Sequence, residues 1–449
     1  MGKKGWKIGV ILCLAWLAGS GFEVQSGGAS NAWCECSTCI TWSAGTKAQA
    51  AAKKSKELTK SVKAGQATGK ELTSKEKKAL GTASFKLFYQ TLQSEEADAN
   101  VLISPTSIQF AVGMAENGAK GKTRSQLEKA VNGGLKTKNL NQTLAYLRGR
   151  MERSEKSQWN VANSIWYVNR KDVKVKKSYL RKMKSYYGAQ IYRASFDKQT
   201  VKDLNRWVKK QTKGMIPKLV DQMRKDEVMY LVNAMAFEGE WMTPIEDSQV
   251  EKEQDFHNQD GSISKVSMLN CSQSSYFQIG EAKGFQRSYV GGEYSFVGIE
   301  LPEHMTPADF AGQLAKDGSI FTEALNNRKS AQVSIRFPEF TTDYGTDLSE
   351  RMKELGAVRP FDPERANFYN MFEKDPEGNY YISKVLHKTH IEVDQKGTKA
   401  AAVTAVVMAK ATSVRMEERV EINLDHPFVY AIVDNETGLP VFIGCVNTL

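Results

Sequence analysis

"DQKGTKAAAVTAVVMAKATSVR", residues Asp394–Arg415, determines how the rest of this 449-residue chain is interpreted. After Gly397 the stretch consists almost entirely of alanine, valine and threonine. These side chains are too small for a well-packed core, and together they are too apolar for an ordinary surface loop. An amphipathic helix is one interpretation because alanine is a strong helix former, but the threonine and valines of Val403–Val407 disfavour it.

As a β-strand, the stretch would present small or β-branched side chains on both faces. One face would carry Thr398, Ala400, Ala402, Thr404 and Val406, and the other would carry Lys399, Ala401, Val403, Ala405 and Val407. Such a strand could enter between two existing strands without forcing large side chains past packed neighbours. Gly397 would be the pivot where the segment folds over, and Lys399 would have to face solvent.

Residues 1–25 are predicted to be a secretory signal peptide, and the protein is therefore expected to be extracellular. Lys3, Lys4 and Lys7 give the segment a positive start. The apolar run Ile8–Gly19 that follows is too short to span a bilayer comfortably. A retained membrane anchor is the alternative, because no sharp cleavage site stands out.

Residues 26–80 are predicted to be a flexible leader rich in lysine and alanine. Ten lysines stand against three glutamates between Ala44 and Leu80, so most of the net charge of +11 lies here and the folded part is nearly neutral. A solvated spacer is favoured, and nucleic acid is not an expected partner. The leader also carries three clustered cysteines with no second group of metal ligands nearby: Cys34, Cys36 and Cys39.

Residues 81–449 are predicted to form an α+β domain. The apolar spacing of Ser84–Leu92 is typical of a buried helix face. Strands are indicated by VMYLVNAMAF, YSFVGIELP, AQVSIRFPEF and the hairpin FVYAIVDNETGLPVFIGCV. Helices and antiparallel strands mix without a regular βαβ repeat, which favours the α+β class.

The sequence offers no catalytic constellation, and we predict neither enzymatic activity nor a cofactor or metal. It lacks a Gly-x-Ser-x-Gly elbow and a His-Glu-x-x-His helix. His387 and His390 stand three apart in a predicted strand, so they point to opposite faces and cannot share a metal. The basic run Arg170–Lys184 is interpreted as a solvated helix face, with weak polyanion binding as the alternative.

Five stretches between about Ser84 and Leu449 resemble, in order, motifs of the serpin family. They are LISPTSIQFAVGMAENGAKGKT, NAMAFEGEWMTPI, DLSERMKELGAVRPFDPERANF, YISKVLHKTHIEVDQKGTKAAAVTAVV and HPFVYAIVDNETGLPVFIGCVN. The resemblance implies a serpin fold with three β-sheets, about eight to nine helices and an exposed reactive-centre loop at about residues 395–420.

The resemblance also implies a monomeric suicide-substrate inhibitor whose partner is a serine endopeptidase held as a covalent acyl complex. Insertion of the cleaved loop into the main sheet would release stored strain. Inhibition of a papain-like protease is an alternative, because trapping needs only an acyl intermediate. A non-inhibitory serpin with a carrier, chaperone or storage role is the other alternative.

By the same resemblance, two groups of residues would serve loop insertion. The hinge comprises Gly397, Thr398, Ala400, Ala401, Ala402, Val403 and Thr404. The shutter comprises Ser104, Ser107, Asn233 and His387, and Trp241 would lie near the breach where insertion begins. Three residues depart from the family pattern: Gln395 and Lys399 where glutamate is common, and Cys445 where a basic residue is frequent. No proline or large aromatic residue interrupts the hinge.

The family's usual loop spacing implies a scissile bond between Ala411 and Thr412. A small residue at this position suits elastase-like or subtilisin-like proteases, whose primary pocket is shallow. Lys410 and Arg415 are the alternatives, and either would redirect specificity to trypsin-like enzymes.

Overall fold

The computed structural model describes residues 54–170, 173–224, 226–373, 379–398 and 418–449. Within these ranges the chain forms nine α-helices. They are α1 (Ser74–Leu92), α2 (Pro105–Gly118), α3 (Lys122–Val131), α4 (Thr137–Arg153), α5 (Lys177–Lys182), α6 (Lys198–Gln211), α7 (Pro307–Leu314), α8 (Ser319–Asn326) and α9 (Ser349–Glu354). None of these helices is long and apolar enough to cross a bilayer.

The same ranges contain sixteen β-strands. They are β1 (Lys56–Glu57), β2 (Val101–Ile103), β3 (Ser157–Val168), β4 (Gln190–Ala194), β5 (Met229–Glu240), β6 (Val250–His257), β7 (Ile263–Ile279), β8 (Ala282–Ser288), β9 (Tyr294–Glu300), β10 (Lys329–Pro338), β11 (Phe340–Asp347), β12 (Lys384–Asp394), β13 (Gly397–Thr398), β14 (Arg419–Asn423), β15 (Phe428–Asp434) and β16 (Pro440–Val446).

The strands form three sheets, two of which share the long strand β7. Sheet A has the order β1-β4-β3-β5-β13-β12-β11. Sheet B runs β7-β8-β9-β15-β16-β2, and sheet C contains β14, β10, β7 and β6. This arrangement confirms the α+β class and the three sheets predicted from the sequence.

Helix α2 holds sheet A against sheet B. Ser104 caps its first turn, and Pro105 occupies the first helical position, where a missing backbone N–H costs nothing. All fourteen residues of α2 are buried. A helix that is buried all round fixes its neighbours on every side, so α2 sets the position of the middle of sheet A.

The outer face of sheet A carries a second, smaller core beneath α6. Trp207 of α6 and Ile216 pack over Trp166, Tyr230 and Leu386 of the sheet. Strand β5 is therefore covered on both faces, which matches the nearly continuous apolar run that its sequence shows.

The described part of the predicted leader, residues 54–80, packs on the domain. Strand β1 pairs antiparallel with β4 at the edge of sheet A, and the Leu58 amide extends this pairing to the Ile191 carbonyl at 2.8 Å. Thr73 and Glu76 form a capping box that starts α1 at Ser74, ten residues before Ser84, where the predicted buried helix face begins.

The segment before residue 81 also contributes side chains to the core of the domain. Val62 and Leu72 are buried in the main core with relative exposures of 6% and 8%. These apolar residues are isolated among lysines, glycines and threonines, so they produce no periodicity that sequence analysis can detect. The predicted signal peptide, residues 1–25, lies outside the described residues.

We expect Leu72→Ala to lower the free energy of unfolding by about 2–4 kcal/mol, because it leaves a cavity under the N-terminal segment. The matched variant Lys70→Ala changes an exposed side chain and should alter stability by less than about 0.5 kcal/mol. Urea unfolding followed by tryptophan fluorescence measures both. Equal midpoints for the two variants would mean that the segment does not contribute to stability.

Candidate functional site

The residues predicted to form the shutter meet between the middle of sheet A and the start of α2. His387 of β12 and Asn233 of β5 are paired neighbours across the two parallel strands. The His387 Nδ1 atom lies 2.8 Å from Asn233 Oδ1. The backbone amide of Ser104 donates to His387 Nε2 at 3.0 Å. Because an amide can only donate, Nε2 is the acceptor and the ring proton is on Nδ1.

Asn233 uses its whole side chain in this network. Its Nδ2 atom donates to the Ser107 carbonyl and to Asn163 Oδ1, both at 2.7 Å. Ser107 thus contributes through its main chain, and its own buried hydroxyl has no hydrogen-bond partner among the described residues. The Ser104 hydroxyl donates to the Val441 carbonyl at 2.8 Å, which ties the network to sheet B.

Asn163 was not predicted to belong to the shutter. It is 8% exposed and stands opposite Asn233 in the β3–β5 pairing. A signal was present, because an amide in the otherwise apolar run VANSIWYV needs a buried partner.

Burial of the shutter determines the charge of its histidine. His387 is completely buried, and burial lowers its pKa from 6.5 to about 3. His387 is therefore neutral at physiological pH. His390 points to the opposite face of β12, where its Nδ1 atom lies 2.8 Å from Asp343, as the strand alternation predicted.

The first two hinge residues already form a strand in sheet A. Gly397 and Thr398 make up β13, which pairs antiparallel with β5 on one side and with β12 on the other. A Cβ atom on Gly397 would lie 2.1 Å from the Gly239 carbonyl oxygen. Only glycine can therefore pass this point without moving the backbone of β5.

Thr398 and Trp241 meet where β13 begins. Thr398 is completely buried, and its hydroxyl lies 2.6 Å from the Tyr289 hydroxyl. The indole ring of Trp241 stacks on Tyr289 at 4.8 Å, and its Nε1 atom donates to the Asp394 carbonyl at 3.0 Å. The backbone of Trp241 also bonds the Lys396 carbonyl. Trp241 thus contacts both the turn that precedes β13 and the tyrosine that bonds Thr398.

Two of the three departures from the family pattern lie in described segments. The Gln395 side-chain amide donates to the Ile245 carbonyl at 2.9 Å and to Asp247 at 2.8 Å, so this glutamine makes two hydrogen bonds at a position where glutamate is common in the family. Cys445 is fully buried, and burial raises the pKa of its thiol to about 12. It forms no disulfide with the other described cysteine, Cys271.

The other predicted loop residues lie outside the described residues. These are the hinge positions Ala400, Ala401, Ala402, Val403 and Thr404 and the scissile candidates Lys410, Ala411, Thr412 and Arg415. The described part of the chain contains no group of three or more side chains that could hold a metal ion. In the basic run Arg170–Lys184, the Lys184 ammonium donates a hydrogen bond to the Val62 carbonyl at 2.9 Å. At least one charged group of the run therefore makes a structural contact within the domain.

The depressed pKa of His387 predicts acid sensitivity. The unfolded state binds a proton below about pH 6.5 and the folded state only near pH 3, so stability is lost as the pH falls between these values. Between pH 6 and 4 the wild-type protein should lose about 1 kcal/mol per pH unit more than His387→Gln. Urea unfolding at several pH values tests this expectation, and parallel profiles for the two proteins would contradict it.

Comparison with known proteins gives a consistent result. The family model described as "Serpin (serine protease inhibitor)" matches residues 78–449. Rat glia-derived nexin is 31% identical over 384 residues, covering 80% of this chain and 90% of that protein. Mouse neuroserpin is 28% identical over 377 residues, covering 80% and 88%.

A crystal structure of the thermophilic serpin Tengpin extends the similarity to three dimensions. In its native state it matches with a TM-score of 0.81 at 36% identity, covering 88% of this chain and all of that one. In its latent state the TM-score is 0.72. From the family match, the relatives and the shared architecture we conclude that the chain belongs to the serpin family.

Proposed function

We propose that this serpin is a suicide-substrate inhibitor of serine endopeptidases. A protease would attack the segment after Thr398 as a substrate and form an acyl-enzyme with it. The cleaved loop would then insert into sheet A as a new strand before the acyl bond is hydrolysed. The single observation that carries this proposal is β13, which lies between β5 and β12 as the first two residues of such a strand.

The register of β13 predicts where each inserted residue would lie. Thr398 is opposite Gly239 on β5 and Val393 on β12. If the antiparallel pairing continues, Thr404 comes to lie between Asn233 and His387. These two residues now pair directly, so insertion has to part their backbones and disrupt their 2.8 Å side-chain contact. The shutter is therefore the barrier that the inserting loop must open.

The alternation of faces suits the loop sequence. Residues of the same parity as Thr398 would face inward, so the inward positions down to Thr404 are alanines and threonines that pass packed neighbours easily. Lys399 would face outward between Glu238 and Glu392, given the same register. Opposite charges on neighbouring strands are favourable, so a lysine suits this position although glutamate is common there in the family.

The length of the loop supports trapping at the far end of the sheet. By the same register, residue 408 would pair with Met229, the first residue of β5. Ala411 lies three residues further on, ~43 Å from Thr398 at ~3.3 Å per residue. A protease held at Ala411 would thus be carried past the far end of β5. The greater similarity to the native than to the latent form of Tengpin supports an uninserted loop in the resting protein.

We propose Ala411–Thr412 as the reactive bond, with elastase-like or subtilisin-like enzymes as targets. Mixing the protein with elastase should give an adduct that survives denaturing electrophoresis, and the released peptide should begin at Thr412 by mass spectrometry. The cleaved protein should also melt at a higher temperature than the intact one. A peptide beginning at Ala411 or Met416 would move the bond to Lys410 or Arg415.

Parallel reactions with trypsin and papain separate the alternative targets. An adduct with only one of these enzymes would identify the protease class. Rapid cleavage without an adduct, and with no rise in melting temperature, would contradict inhibition and favour a carrier, chaperone or storage role.

The register also predicts which face of the loop tolerates a large charge. Thr404→Arg would bring a guanidinium between Asn233 and His387 and should reduce the trapped fraction of protease about tenfold or more, because a buried unpaired charge is costly. Lys399→Arg introduces the same side chain on the outward face and should trap protease like the wild type. The ratio of adduct to cleaved inhibitor measures both variants, and similar ratios would contradict the register.

We further propose that the protein is secreted and that its basic run binds polyanions weakly. The basic start and the apolar run of residues 1–25 support secretion through a signal peptide. The basic run Arg170–Lys184 supports at most weak binding of a polyanion, since the family match itself requires no such ligand.

A further inference from the structure

A cavity of about 180 Å³ is lined by residues of α4, α2 and β3 and by Tyr187 and Gly188. Phe110, Met151, Val161 and the ring of Trp159 give it apolar walls. Arg148, Glu152, Asn163, Tyr187 and Gly188 complete the lining. A dry cavity of about 150 Å³ can take up benzene, so this space is large enough for a small ring.

A buried cation at this cavity has unused donors. Arg148 is only 8% exposed, and its Nε and Nη1 atoms make no hydrogen bond with the described residues. The Nε1 atom of Trp159 is likewise buried without a partner. A buried donor that makes no hydrogen bond costs about 1–3 kcal/mol, and a charged one costs more, so these groups favour an occupant that accepts hydrogen bonds.

The surroundings keep the guanidinium at the cavity. A Cβ atom on Gly188, which also lines the space, would lie 3.1 Å from Arg148 Nη1, so the guanidinium packs closely against the Gly188 backbone. Glu152 is the one carboxylate of the lining. Its Oε1 atom lies 3.3 Å from Arg148 Nε, its side chain is 50% exposed, and its other oxygen accepts a hydrogen bond from Gln66. Glu152 thus engages one edge of the guanidinium from the solvent side and leaves Nη1 unpaired.

We propose that this cavity binds a small apolar carboxylate, of the size and character of benzoate. The carboxylate would accept hydrogen bonds from Arg148 Nη1 and Trp159 Nε1, and the apolar body would contact Phe110, Met151 and Val161. A bare inorganic anion would leave the apolar walls without contacts, and a neutral ring without an acceptor would leave Arg148 Nη1 without a hydrogen bond. The proposal does not depend on the inhibitory function of the loop.

Titration calorimetry on the full-length protein tests the site with three probes: benzoate, benzamide and inorganic phosphate. Benzoate should bind saturably with one molecule per chain. Benzamide has the same shape without the charge, and its affinity should be at least about tenfold lower than that of benzoate. Phosphate should not compete with benzoate. The proposal would be overturned if benzoate showed no saturable binding, as expected of a cavity that holds only water. Equal affinities for benzoate and benzamide would also overturn it.

Three variants locate the binding. Arg148→Gln should weaken benzoate binding about tenfold or more, whereas Arg153→Gln, an exposed change of the same kind on the same helix, should leave it unchanged. Glu152→Gln alters a half-exposed side chain and should strengthen binding severalfold by removing the competing carboxylate. If Arg148→Gln does not fold, a weaker affinity in Glu152→Gln still overturns the proposal. Wild-type affinity in a folded Arg148→Gln would do the same.

Discussion

The direct pairing of β5 with β12 is the constraint on which the rest of this structure depends. Over Tyr230–Ala236 and Lys384–His390 the two strands bond to each other. At the C-terminal ends of β5 and β12, β13 lies between the two strands. Where β5 and β12 pair directly, the buried contact between His387 and Asn233 links the two strands on the face that packs against α2. The proposed insertion would follow this same line between β5 and β12, which β13 already separates at one end.

The sequence predicted the parts of this arrangement that depend on local composition. The small residues after Gly397 predict a strand, because volume and β-branching are properties of each residue alone, and the described residues contain its first two positions, Gly397 and Thr398. The alternation of strand faces correctly placed His387 and His390 on opposite sides of β12. The shutter residues were identified by resemblance, and Ser104, Asn233 and His387 do share one hydrogen-bonded network.

Other parts depend on contacts between distant segments, which no local pattern records. Tyr289 shares a hydrogen bond with Thr398, which is more than a hundred positions away in the sequence. Nothing in the sequence around Tyr289 distinguishes it from an ordinary core tyrosine. Val62 and Leu72 reach the core singly, from a stretch whose lysines dominate its composition. The pairing partner of Asn163 was equally invisible, although its isolation in an apolar strand showed that some partner was needed.

The short strand β1 has a consequence for association between molecules. Exposed sheet edges invite strands from other chains, and natural proteins cover them with short or charged segments. Here Lys56 and Glu57, with the Leu58 amide beyond them, occupy the hydrogen-bonding edge of β4 from Arg193 to Ile191. Proteolytic loss of the residues up to Leu58 would uncover this edge of β4, which could then pair with a strand of a neighbouring copy.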